Sequence, residues 1–518
     1  MKKINFLLTL MFSIILFTSC EDSYKIVQEG ELNDSNVISN PSDMQKYLNG
    51  IYANETISSE IAFTSIFTDE TGIGKSSGGQ NFDTHRFQLN SGNGFASGIW
   101  YGHYTVINRV NRFLDAVSKL TPPTDPAELE SFNSMIAQAK VLRAFSNFQL
   151  LSYFSTDLTN DNALGIIKLD YVPDFNEHLL RVSNGEIFSF IDSDLAYADS
   201  NLVDQTSSSY KFVSKNMVNA LRARMYLYRG KYTLAKQYAL DAIANGPALA
   251  SATPFPTGTI GSSTWNNSFY GSTSTNPYRK MFADAAQGEI IFSLDRPGAG
   301  TWENISSNFN TNTSTAGGSP LFEVGRTLFN LLNANSKDVR RYANVDPTST
   351  PSPTYSTDAD PFSSDVLIID KYPGKTGAVL RNDLKVFRVS EMYFILAECY
   401  AHDNTINGSS NSVASVLKTI RDARFFNSAP ALAVYSSQQD AYRDILTERF
   451  KELSFEGHRY IDLKRLGALA NKSIERDNVD DKLSGMPLTI PIGDYRFTMP
   501  IPADELNANP NIQQNPGY

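Results

Sequence analysis

The sequence predicts a mainly all-α fold: a helical repeat scaffold interrupted by irregular, loop-rich insertions. Three observations predict it. Apolar residues recur at spacings of three and four through much of 41–154, the period of one helix face. A register with small residues at fixed places begins at Asn216, the mark of paired repeat helices. Between the helical stretches, 250–320 is rich in Gly, Ser, Thr and Asn, and 345–364 in Ser, Thr, Pro and Asp. Those compositions predict loops and exclude regular helix.

From about Pro41 the pattern turns helical. Trp100, Tyr104, Ile107 and Asn111 share one helix face, so Trp100 reads as a packing residue. Pro122, Pro123 and Pro126 break the chain before a second amphipathic helix carrying Met135, Ile136, Ala139, Leu142 and Arg143. Ser183 with Glu186 three residues later predicts a capping box for a helix running to about Leu202. With Asn216 counted as one, Ala223 stands at eight, Tyr226 at eleven, Ala235 at twenty, Ala242 at twenty-seven and Pro247 at thirty-two. These are tetratricopeptide positions: small residues let two helices approach, and proline ends the second. Gly230 supplies the turn. A similar start recurs at Ser390, with Ala397 and Tyr400 in the corresponding places, then an inserted loop and a helix over Val413–Arg424.

The N-terminus has a different character. Lys2 and Lys3 precede an apolar run over 4–17, shorter than the roughly 20 residues that cross a bilayer. The pattern predicts a cleaved signal peptide over 1–19. Leu16-Phe17-Thr18-Ser19-Cys20 resembles a bacterial lipobox, so Cys20 is the predicted lipid attachment, and 20–40 a lipidated tether. Three acyl chains exceed the two signals that stable anchoring takes. Glu21-Asp22 resembles the acidic tag that sends such lipoproteins to the outer leaflet of the outer membrane. The predicted organisation beyond the tether is an N-terminal helical region, 41–250, and a C-terminal region, 251–518, holding the loop-rich insertion.

The 518 residues suffice for a large core, and a hydrophobic content of 41% is ordinary for a globular chain. The net charge is −10, and loss of Lys2 and Lys3 makes it −12. Nucleic acid is therefore not an expected partner, because binding it rests on neutralising phosphates. Apart from Cys20 the only cysteine is Cys399, in an apolar helical stretch, which predicts a buried, inert thiol. No cofactor is expected.

Several motifs imitate chemistry. Over 448–465, Glu448, Glu452 and Glu456 lie four apart on one predicted helix face. Arg449, Arg459 and Arg465 can pair with nearby acids, and Gly457 suits a helix end. An ion-paired helix and turn explains this stretch better than a catalytic site. Gly74-Lys75-Ser76 lacks the first glycine of a phosphate loop, since that place holds Asp69. Gly74-Lys75-Ser76-Ser77-Gly78 fits the nucleophile-elbow spacing but has no apolar strand before it. His85, His103, His178, His402 and His458 show no metal-ligand spacing, so no metal site is expected.

Taken together, five segments carry a family resemblance. They are the Trp100 helix; Ala139-Lys140-Val141-Leu142-Arg143-Ala144-Phe145; Ala220-Leu221-Arg222-Ala223-Arg224; Arg388-Val389-Ser390-Glu391-Met392-Tyr393; and the 448–465 stretch. With the C-terminal Gln514-Asn515-Pro516-Gly517-Tyr518, the chain resembles the SusD/RagB family of Bacteroidetes outer-membrane lipoproteins over nearly its whole mature length. The resemblance implies four tetratricopeptide-like helix pairs with ligand-facing insertions. It also implies a non-enzymatic surface protein that binds nutrient, usually oligosaccharide, and sits as a lid on a SusC-like TonB-dependent transporter. The RagB branch handles peptides, which is the alternative ligand. A surface glycoside hydrolase is the alternative of another class; it needs two carboxylates at a set separation, and no local signature supports such a pair.

A sugar ring offers one C–H face to an aromatic side chain and hydroxyls at its edge to polar groups, the usual make-up of a small-ligand site. The family takes its ligand contacts from the loop before the Trp100 helix and from the central insertion. On that basis the candidate ligand-binding residues are Phe82, His85, Phe87 and Phe95 in the first region, and Trp265, Tyr270, Tyr278 and Trp302 in the second.

Overall fold

Asn40 opens the first helix: its side chain accepts from the backbone N–H of Ser42 and Asp43, and Pro41 fills the first helical position, where no hydrogen-bond donor is needed. The computed structural model describes residues 37–174, 176–204, 209–309 and 320–518. The signal peptide, Cys20, Glu21 and Asp22 lie outside the described residues. Helices α1 (Pro41–Asn54) and α2 (Ser58–Phe67) precede the long α3 (Gly94–Ser118) and α4 (Pro126–Phe154). Asp125 caps α4 and Pro126 starts it, as the proline break predicts.

Four helix pairs then build the scaffold. Helix α4 packs on α5 (Asn184–Asn201), and α6 (Lys215–Tyr228) on α7 (Tyr232–Ala244). After the insertion, α12 (Val389–His402) packs on α13 (Val413–Arg424), and α14 (Gln438–Leu453) on α15 (Arg459–Ala470). Helix α12 also packs against α7 and α14, which makes the stack continuous across the insertion. The repeat register explains the close approach: Ala223, Ala235, Ala242 and Ala397 are fully buried. Gly230 makes the α6–α7 turn at φ +68°, a conformation that costs glycine nothing. Ser183 accepts from the Glu186 amide and begins α5 where expected, but the Glu186 carboxylate meets the Ser183 hydroxyl instead of its backbone amide, so the cap is one-sided and not a capping box.

The insertion departs from expectation. Within the stretch whose composition excludes regular helix lie α8 (Ser263–Tyr270) and α9 (Pro277–Phe282). The physical reason is that Ser and Asn, rated as loop formers, serve as caps. Ser262 accepts from the Trp265 amide, Asn276 from the Arg279 amide, and Pro277 begins α9. A helical turn over Pro361–Ser364, begun by Pro361 without a side-chain cap, lies in the second polar stretch. Helices α10 (Arg326–Asn333) and α11 (Val339–Asn344) complete this part. A small core of its own forms here from Trp265, Phe269, Tyr278, Met281, Phe282 and Val339.

Short antiparallel ribbons tie the insertion to the scaffold. Strand β1 (Thr71–Ile73) pairs with β5 (Phe322–Val324). β2 (Leu164–Ile167) pairs with β3 (Arg181–Ser183). β4 (Ile290–Leu294) pairs with β6 (Leu384–Arg388), which runs straight into α12. β7 (Ile474–Glu475) and β8 (Thr489–Ile490) close the C-terminal part. Among the described residues no helix is long and apolar enough to cross a membrane.

Cys399 is 1% exposed, and burial followed by the charge of Glu398 pushes its thiol up to about 12. A Cys20→Ala variant should therefore take up no thiol reagent at pH 8 while folded and one equivalent in denaturant. Native labelling on the timescale of a free thiol would contradict the buried placement.

Candidate functional site

The motif over 448–465 lies in the interior. Glu448 and Glu452 share a face of α14, as the spacing predicts, but α14 ends at Leu453 and Glu456 stands beyond it. The chain turns at Phe455, whose amide donates to Glu70 Oε2 at 3.0 Å and whose carbonyl accepts from the Tyr372 hydroxyl at 2.7 Å. Arg388 nevertheless bridges the turn, 3.0 Å from Glu452 and 2.7 Å from Glu456. Arg424 and Arg340 also hold Glu452, at 2.9 and 3.2 Å. Burial alone would raise the Glu452 carboxyl; Arg424, Arg388 and Arg340 instead hold it well below the usual range. Arg449 pairs with Asp462, Arg465 with Glu398 and Arg459 with Asp69. These acids are buried and each is ion-paired with arginine, so they are not available to protonate a substrate.

The aromatic candidates fall in separate places. His85 is 1% exposed, with Nε2 at 3.2 Å from the Thr71 carbonyl. Burial and the Arg476 charge push it down to about 4, so it is neutral at pH 7. Phe87 is buried beneath the Arg476 guanidinium. Phe82 is half-buried, with Arg86 4.7 Å from its ring centre. Phe95, also half-buried, sits in the first turn of α3, 6.2 Å from Phe63.

In the insertion, Trp265 and Tyr278 belong to the small core. Trp265 is 2% exposed, stacks on Phe269 and donates from Nε1 to the Pro256 carbonyl. Tyr278 is fully buried, with Arg424 4.7 Å from its ring centre. Neither presents a ring face to solvent. Tyr270 lies at the edge of this core, its hydroxyl donating to the Tyr342 carbonyl at 3.0 Å.

Trp302 is placed differently. It rides on the loop 297–304, half-buried, with no place in either hydrophobic core. Arg381 clamps this loop from below. Its Nη1 donates to the carbonyls of Pro297, Gly298 and Gly300 at 3.0–3.1 Å, and Nη2 to that of Trp302 at 3.4 Å. Arg296 stands 5.4 Å from the indole centre and pairs with Glu303 at 2.7 Å. Thr56 donates to the same carboxylate at 2.8 Å, which ties the loop to the N-terminal helices. Gly300 takes φ +85°, and a Cβ there would lie 3.2 Å from Trp302 Nε1, so only glycine leaves the indole in place. The result is a fixed aromatic edge with the Glu303 carboxylate beside it.

One concavity escapes the sequence reasoning. A groove of about 330 Å³ runs along the outward side of α3, against the segment 167–179 and the helical turn Ala503–Ala508. Tyr101 is its exposed aromatic, at 38%. The only signal was a tyrosine next to the core residue Trp100, one step around the helix.

The family model described as the SusD family matches residues 298–518, and the one described as starch-binding associating with outer membrane matches 27–227. SusD-like protein P2 of Formosa agariphila is 24% identical over 561 residues, covering the whole of both chains. A SusD superfamily protein from Bacteroides thetaiotaomicron superposes with a TM-score of 0.72 at 23% identity, over 92% of this chain and 100% of the other. A laminarin binding SusD-like protein superposes with a TM-score of 0.65 at 19% identity, over 93% and 100%. These likenesses account for the helix pairs and the insertion between them.

Proposed function

This chain belongs to the SusD/RagB family, and we propose that within it the protein is a non-enzymatic, cell-surface lipoprotein that binds oligosaccharide and hands it to a SusC-like TonB-dependent transporter. The observation that carries the ligand-binding part is the Trp302 loop. A half-buried aromatic on an irregular loop is ordinarily mobile, and ordering it on binding would cost affinity. Here four carbonyls on one buried guanidinium fix the loop before any ligand arrives. The indole can receive the C–H face of a sugar while Glu303 accepts hydroxyls at its edge. Lipid on Cys20 would keep this binder beside its transporter at high local concentration.

The reading favours binding over turnover, because the acids that look catalytic in the sequence are buried and ion-paired with arginine. It predicts that Trp302→Ala weakens oligosaccharide binding about tenfold while the melting temperature stays within a degree or so of the parent. Glycan arrays, followed by calorimetry on the best ligand, measure it. Peptide binding in place of glycan binding would move the protein to the RagB type of ligand. Steady hydrolysis of the bound glycan would overturn the non-enzymatic reading. A pull-down from outer membranes that recovers no large β-barrel would remove the transporter.

A further inference from the structure

The groove beside α3 shares no lining residue with the Trp302 loop, and its chemistry is distinct. Its walls are fixed. The Tyr104 hydroxyl donates to the Ile167 carbonyl and accepts from the Ile167 amide, both at 2.9 Å. Asn111 donates to the carbonyls of Leu169 and Tyr171 at 3.2 and 2.8 Å. On the far side, Asn509 donates to the Leu179 carbonyl at 2.7 Å, and Trp100 Nε1 donates to Glu505 at 3.1 Å. Three segments distant in sequence are thus pinned around one cavity, whose volume falls in the range of about 300–1,000 Å³ usual for small-ligand sites.

The lining combines an aromatic face with negative charge. Tyr101 offers its ring. Asp174 and Glu177 contribute carboxylates from one segment and Glu505 from another. Among the described lining residues there is no lysine or arginine, and His178 is the sole basic side chain. Lys168, between the lining residues Ile167 and Leu169, is held by Asp170 at 2.9 Å, and Arg112 donates to the lining Asn108 at 3.0 Å. Burial, then Glu505 and Asp504, raises the Tyr101 hydroxyl, which marks the negative field at the ring. Glu177 is oriented by the Tyr171 hydroxyl and by the Asp174 amide at 3.0 Å.

We propose that this groove binds a protonated amino sugar, its ring against Tyr101 and its ammonium and hydroxyls shared among Asp174, Glu177 and Glu505. An ammonium over a tyrosine and beside a carboxylate gains from both contacts, and a neutral sugar gains neither. The acceptors stand on two separate segments, so the ligand needs donors on opposite edges. A sugar ring has them; a lysine side chain has donors at a single tip.

The test uses the full mature chain and calorimetric titration with three probes: the β-1,4 glucosamine disaccharide, cellobiose, and a blocked lysine amide. The glucosamine disaccharide should bind, more weakly as salt rises, and at least about fivefold tighter than cellobiose or the lysine amide. Glu505→Gln keeps the acceptor for Trp100 and removes the charge; it should weaken binding about fivefold. Tyr101→Ala, at an exposed position, should do the same, and Trp302→Ala should leave this binding unchanged. Equal affinity for cellobiose, equal or tighter binding of the lysine amide, absence of glucosamine binding, or loss of it in Trp302→Ala would each overturn the proposal. The first three leave the Trp302 reading untouched, and failure of the Trp302 reading leaves this groove untouched.

Discussion

Arg388→Met is expected to lower the unfolding free energy by about 3–5 kcal/mol, the usual cost of stripping one partner from a buried ion network. The guanidinium is 2% exposed and makes contacts that no methionine replaces. Nη1 donates to Glu289 Oε1 at 2.5 Å, Ser390 Oγ at 2.8 Å and Glu452 Oε1 at 3.0 Å. Nε and Nη2 grip the two oxygens of Glu456 at 2.8 and 2.7 Å. Arg340, Lys371, Arg421, Arg424 and Lys451 remain in the variant, against Glu289, Asp338, Asp444, Glu448, Glu452 and Glu456. A negative charge is then left in the interior without its counter-charge. The excess charge, more than the lost contacts, sets the size of the effect, and that makes a second expectation. Arg388→Met combined with Glu456→Gln should recover a substantial part of the loss, because both members of one pair are removed together. Urea unfolding of the two variants and the parent measures both statements. A single variant within 1 kcal/mol of the parent, or a double variant that simply adds two losses, would refute the account.

This network also has a place in the proposed function. Arg388 ends β6, and α12 begins at the next residue. The loop clamp Arg381 lies seven residues earlier on the same run of chain. The ion cluster therefore anchors the segment from which the Trp302 platform is held.

How legible each part was follows from the range of the interactions that make it. The repeat helices were legible because close packing at Ala223, Ala235 and Ala242 imposes small residues at fixed local spacings. Capping at Ser183 and the break at Pro126 are likewise decided within a few residues. Trp265 and Trp302 looked alike in sequence, both tryptophans in a polar, glycine-rich stretch. What separates them is distant: Phe269 and Tyr342 surround the first, and Arg381 supports the second from 79 residues away. The partners of Arg388 stand 64 to 99 residues off, at Glu452, Glu456 and Glu289. No local pattern signals such a convergence, so 448–465 showed that ion pairs exist but not which. The groove at Tyr101 was passed over because its walls come from three segments that meet only in the fold.

The second large effect is a dependence of stability on alkaline pH, centred on His103. This imidazole is buried between two carboxylates, Nε2 at 2.5 Å from Glu60 and Nδ1 at 3.4 Å from Glu55. Burial would push it down, but the Glu60 charge and the ring's hydrogen bonds to both acids outweigh burial and raise it to about 10, against an ordinary 6.5. Below 6.5 the folded and unfolded chains both carry the proton, and the ion triad contributes fully. Between 6.5 and 10 the unfolded chain has released its proton while the folded one keeps it. Folding then takes up a proton, and stability falls as pH rises. Above 10 the contribution is gone. A gap of this width is worth a few kcal/mol. Glu60→Gln removes the more strongly interacting of the two carboxylates and should bring the His103 proton off at markedly lower pH. The fall in unfolding free energy between pH 8 and pH 10 should therefore be clearly steeper in the parent than in Glu60→Gln, and the comparison cancels the titration of every group the two proteins share. In the parent, the His103 ring proton resonances should still report imidazolium at pH 8.5. Parallel pH profiles, or a His103 titration near 6.5, would show that the triad holds a neutral ring. The position matters for ligand binding as well, since the backbone carbonyl of Glu55 accepts from Arg296 at 2.5 Å, and the same arginine stands over Trp302. Loss of the His103 charge should therefore loosen the aromatic platform first, and oligosaccharide affinity in the parent should decline above pH 9 before the fold itself is lost.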